Sequence, residues 1–105
     1  MVKKFDAIPT SYLFIGNSLT GNNDGVHTHF EALMTEAGHD IAIAGEIYGG
    51  QDFESHYNRE TTRAEIEQGS AEVVVLQGNS YEPIYDQEDF HTCGGLLAEA
   101  VYAAD

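Results

Sequence analysis

The stretch LFIGNSLTGNND, Leu13–Asp24, passes from three apolar residues straight into Gly16-Asn17-Ser18 and then into more small polar groups. A continuous apolar run closed by glycine reads as a short strand buried on both faces. Small polar residues directly after such a strand form a turn, or they present a reactive hydroxyl or hold an anion there. What the rest of the chain sets beside them decides between these.

Working outward, SYLFIG (11–16) is the first strand. Val26, Phe30, Leu33, Met34 and Ala37 recur at helical spacing, with Asp24 as the expected N-cap and Gly38 as the stop. DIAIAGEIYGG is a second strand ending in a glycine pair, and FESHYNRETTRAEIEQG is a polar helix with a break expected between Asn58 and Thr62. AEVVVLQG is the clearest strand, NSYEPIYDQED a loop, and FHTCGGLLAEAVYAAD a further helix. Strands alternating with helices predict βαβ units and an α/β fold around a parallel sheet. The sequence reaches Asp105 after three such strands, whereas sheets usually carry about five. Residues 1–105 are therefore expected to be the N-terminal part of a single domain, truncated after the third strand.

The charge balance excludes some partners. Eighteen acidic residues against Lys3, Lys4, Arg59 and Arg63 give a formal net charge of −14, a field that repels nucleic acid and anionic membrane surfaces. Cys93 is the only cysteine, so neither an intrachain disulfide nor a cysteine-based zinc site is available. It is expected to be a small buried residue. The opening MVKKFDAIPTSYLFIG lacks the apolar core of a signal peptide before Ser11, which leads to the expectation of a cytoplasmic protein with no membrane partner. His29, His39, His56 and His91 are expected on solvated helix faces or loops.

Ligands of open α/β sheets bind at the carboxyl ends of the strands. Here those ends carry Gly16-Asn17-Ser18, Gly49-Gly50-Gln51 and Gln77-Gly78-Asn79-Ser80, all small and polar. Glycine lets a backbone N–H approach an oxyanion, an asparagine amide adds a donor, and a serine at a strand-to-helix turn is exposed. These are parts for acyl transfer. The segments FIGNSLT, YGGQDFESH and VVVLQGNSYEP resemble the first three conserved blocks of the SGNH (GDSL-like) hydrolases, over essentially the whole chain. The resemblance implies a flavodoxin-like three-layer sandwich with helices on both faces of the sheet. It also implies Ser18 as nucleophile and oxyanion N–H, Gly50 as a second oxyanion donor and Asn79 as the amide donor. The implied substrates are small-molecule or carbohydrate esters, with no metal or cofactor.

Two departures from the family pattern bear on activity. Its third block is commonly Gly-x-Asn-Asp, and Gln77-Gly78-Asn79-Ser80 keeps only the asparagine. Its general base lies in a late Asp-x-x-His block that would fall after residue 105. Asp24-Gly25-Val26-His27 spells that motif but sits on the helix leaving Ser18, with poor reach back to it. Loss of a triad histidine can cost about 10⁶ in kcat, so the 105 residues alone are expected to be nearly inactive. A rival reading takes Ser18–Asn23 as a flavodoxin-like phosphate loop for FMN, with Tyr81 stacking on the flavin. A weaker one takes Thr20, Asn22, Asp24 and Glu31 as an incomplete calcium loop.

Overall fold

The computed structural model describes residues 7–104. Its elements in chain order are β1 (Ser11–Gly16), α1 (Ser18–Gly21), α2 (Val26–Glu36), β2 (Ala42–Ile47), α3 (Phe53–Asn58), α4 (Glu60–Glu67), β3 (Val73–Leu76), α5 (Glu82–Tyr85) and α6 (Gln87–Ala104). The three strands form one parallel sheet in the order β2-β1-β3. Ser11–Gly16 lie opposite Ala42–Ile47, and Tyr12–Ile15 opposite Val73–Leu76. The α/β alternation read from the sequence is thus present, with the expected strands in place. No helix among the described residues is long and apolar enough to cross a membrane.

The unbroken apolar run of β1 explains its central position, because a middle strand has neighbours on both faces. Leu13 and Ile15 join Phe53 of α3, Ile66 of α4, and Cys93 and Leu97 of α6 in the core. Tyr12 and Phe14, on alternate positions, pack instead on Phe30 of α2, with ring centroids 4.9 and 6.0 Å apart. Cys93 is buried, as its small apolar character implied.

Helix boundaries depart from the sequence reading in instructive ways. Asp24 is not the N-cap of α2. It is exposed at φ 69°, and Gly25 at φ 89° takes the cap position without any side-chain hydrogen bond. The C-terminal stop is as expected: Gly38 N–H donates to the Thr35 carbonyl and His39 N–H to that of Met34, a Schellman closure. Val26 and Leu33 fit the helical spacing yet are 55% and 67% exposed; in α2 the ring contacts with β1 are made by His27 and Phe30. The break in the polar helix falls at Arg59, whose extended backbone separates α3 from α4. The expected loop after β3 contains α5, with Pro83 in its first turn, where its missing N–H is harmless.

These burials set a stability contrast. Leu97 is fully buried, so Leu97→Ala should cost about 2–5 kcal/mol, whereas Leu33→Ala should stay within about 0.5 kcal/mol of the parent. Urea unfolding of both variants checks the difference.

Candidate functional site

The three strand ends meet at Asn17, the residue after β1. Its side chain is 3% exposed. Nδ2 donates to the Gln51 carbonyl at 2.8 Å and to the Gly78 carbonyl at 3.4 Å. Oδ1 accepts from Leu19 N–H at 3.0 Å and so caps α1. The Asn17 backbone N–H donates to Gln77 Oε1 at 3.0 Å, which also accepts from the Thr20 hydroxyl at 2.9 Å. Gly16 is required beside this cluster, because a Cβ there would stand 2.7 Å from both Gln77 Oε1 and Thr20 Oγ1. Strand pairing extends into the same layer: Tyr48 N–H reaches the Gly16 carbonyl at 3.1 Å, and Gln77 N–H that of Ile15 at 2.9 Å.

Each residue that the sequence singled out adjoins a member of this cluster in the chain. Ser18 follows Asn17, Gly50 precedes Gln51, and Asn79 follows Gly78. Ser18 is exposed as the first residue of α1, and neither its hydroxyl nor its N–H has a hydrogen-bond partner among the described residues. Gly50 is exposed at φ +72°, a conformation other residues rarely adopt, in a turn closed by Gln51 N–H on the Tyr48 carbonyl. Its own N–H is likewise unused within the described residues. Asn79 is half-buried, and its Oδ1 accepts from Tyr81 N–H at 3.4 Å, leaving Nδ2 without a partner there. Its backbone N–H donates to Glu82 Oε1.

Three buried ionisable groups, His56, Glu46 and Glu82, escaped the sequence reading. His56, expected on a solvated surface, is fully buried. Its place three residues after Phe53 puts both on one helix face, and that spacing was the available signal. His56 Nε2 bonds the Gly16 carbonyl at 2.8 Å and Nδ1 the Thr62 hydroxyl at 3.1 Å. Burial holds the imidazole below its ordinary pKa of 6.5; the Gly16 carbonyl opposes that shift and the Arg59 charge adds to it. A carbonyl can only accept, so Nε2 is the ring nitrogen that donates to Gly16. Glu46, itself buried, lies beyond, with Oε1 3.4 Å from Thr62 Oγ1 and Oε2 3.4 Å from the Tyr48 hydroxyl. Glu82 is 1% exposed, and its Oε2 has no hydrogen-bond partner among the described residues. Burial raises its carboxyl above the ordinary 4.5, against the pull of Asn79 N–H, and nearby Asp52 adds to the rise.

The other readings of these segments fare differently. A phosphate loop needs free backbone N–H groups. In Ser18–Asn23, however, Leu19 N–H is taken by Asn17 Oδ1, those of Thr20 and Gly21 by the Asn17 carbonyl, and that of Asn22 by Ser18. Of the calcium spelling, Thr20 donates its hydroxyl proton to Gln77 Oε1, and no group of three or more His, Cys, Asp or Glu among the described residues is placed to hold a metal ion. His27 lies against Phe14, with Gly25 and Gly45 beside its ring, and makes no hydrogen bond to Ser18. No family model, curated protein or solved structure matches the chain.

The His56 environment sets a pH dependence. A folded-state pKa below the unfolded 6.5 means that the unfolded chain binds the proton more readily. The neutral ring's contribution is complete above 6.5 and is lost as pH falls toward the depressed folded value. Thermal melts should show a midpoint falling with pH in that window, and His56→Gln should flatten the slope.

Proposed function

We propose that this chain carries the nucleophile and oxyanion hole of a serine ester hydrolase of the SGNH type, built on a flavodoxin-like three-layer sandwich. The observation that carries the reading is one of hydrogen bonding. Around Asn17 nearly every polar group is engaged, yet the Ser18 N–H, Gly50 N–H and Asn79 Nδ2 are left without partners among the described residues. These are the three donors that the resemblance assigns to the oxyanion. Donors fixed in place before reaction stabilise developing charge without reorganisation.

In this reading the Ser18 hydroxyl attacks the ester carbonyl, and the three donors hold the tetrahedral oxyanion. A histidine must take the hydroxyl proton and return it to the leaving alcohol. No described histidine is hydrogen-bonded to Ser18, and His56 is committed to Gly16 and Thr62. The resemblance assigns that role to an Asp-x-x-His block, with small acyl esters or acetylated carbohydrates as substrates. His56 acts from below as a positioning residue for the loop that starts at Gly16.

A boronic acid tests the nucleophile and the hole without relying on turnover: boron takes up the Ser18 oxygen as a tetrahedral adduct and the hydroxyl proton passes to solvent, so the adduct does not require the histidine. Boron NMR with phenylboronic acid should show that adduct in the parent chain and lose it in Ser18→Ala. Asn79→Ala should weaken it at least about tenfold, as removal of an oxyanion donor does for rates. An adduct that survives Ser18→Ala would overturn the assignment.

A further inference from the structure

Arg59 is one of only two cationic Lys or Arg side chains in the described region, the other being Arg63. It is held in place by uncharged partners. Its guanidinium lies over the Tyr48 ring at 3.8 Å, and Nη2 donates to Gln51 Oε1 at 2.9 Å. Its Nε is buried without a partner, and no carboxylate pairs with it among the described residues. Tyr48 and Gln51 are the two ends of the Gly49–Gly50 turn, so the guanidinium is tethered to both ends of that turn. Gly49 and Gly50 are exposed, their N–H groups are unused, and a Cβ built on either meets nothing within 4 Å.

In a chain of net charge −14, an arginine with no acidic partner is unexpected for a purely structural clamp, because carboxylates are abundant and pairing is easy. The planar guanidinium keeps its Nη1 edge for a further acceptor, and such a fork matches carboxylate, phosphate or sulfate. Successive free N–H groups in a glycine turn form an anion-binding concavity. With the Gly50 N–H committed to the ester oxyanion, the Gly49 N–H and the Arg59 fork remain for a second anionic group.

We infer that the Arg59 guanidinium and the Gly49 N–H form a subsite for an oxyanion group carried by the substrate, so that the ester is an acidic one. The link to an ester rests on the hydrolase reading; the anion site itself does not. Attraction at this point is local, since the field of the acidic surface is screened beyond about 10 Å in ordinary salt.

Nitrogen–proton NMR with inorganic phosphate tests the subsite directly, with sodium chloride at matched ionic strength as control. The Arg59 Nε–H and Gly49 N–H resonances should move together and saturate with phosphate but not with chloride. Arg59→Gln should abolish saturation. Arg59→Lys, which keeps the charge and guards against a misfolded variant, should weaken binding about tenfold as the fork is lost. Ser18→Ala should leave the titration unchanged, so failure of the hydrolase reading is seen separately, in the boronate experiment. The substrate class is tested by comparing 3-carboxyphenylboronic acid with phenylboronic acid. The acidic compound should form its adduct more tightly in the parent, and Arg59→Gln should erase that preference. Shifts that never saturate, saturation that persists in Arg59→Gln, or equal affinity for the two boronic acids would overturn the inference.

Discussion

The site depends on one buried amide. Asn17 ties Ser11–Gly16 and the helical turn after it to loops 34 and 61 residues further along the chain. A buried donor or acceptor left unpaired costs about 1–3 kcal/mol, so an asparagine satisfied on both ends fixes the relative position of everything it touches. Parallel strands alone would not do this. They align the backbones of the strands, but the loops beyond them are free to diverge unless a side chain joins them.

Beneath that amide lies a second polar layer. His56, Thr62 and Glu46 form a chain of close contacts, and His56 at its upper end holds the Gly16 carbonyl. That carbonyl also receives the Tyr48 N–H, so the exit of β1 is gripped from the second strand and from α3 together. Polar networks of this kind specify one geometry because each member has few alternatives once buried. The apolar core of Leu13, Ile15, Leu97 and their neighbours fixes the helices against the sheet. The polar layers fix where the loops emerge.

Much of the fold was legible because β1 and β3 are short apolar runs bracketed by polar residues, a pattern with few other readings. The limits of α2 were less legible. Helical spacing marks Val26 and Leu33 as core, but burial depends on how much sheet lies beneath the helix, which no local pattern encodes. The positive-φ run Asn23-Asp24-Gly25 moved the cap from the residue with the better capping side chain to the more permissive glycine. At the site, Ser18, Gly50 and Asn79 were readable as small polar groups at strand ends. Asn17 and His56 were not singled out, since their importance comes from partners remote in sequence, and a histidine in a polar helix looks solvated. Arg59 entered the sequence reading only through the charge balance, because its stacking on Tyr48 and its lack of an acidic partner among the described residues come from the fold and not from any local pattern.

The central claim, that Asn17 holds three loops as one unit, is tested most directly by amide NMR of Asn17→Ala against the parent. If the claim holds, the amides of Gly50, Gln51, Gly78 and Asn79 shift, and the N–H groups of Tyr48 and Gln77 exchange faster, along with the local changes at Leu19 and Thr20. Changes confined to residues 18–22, with the other two loops undisturbed, would reduce Asn17 to a helix cap and contradict the account.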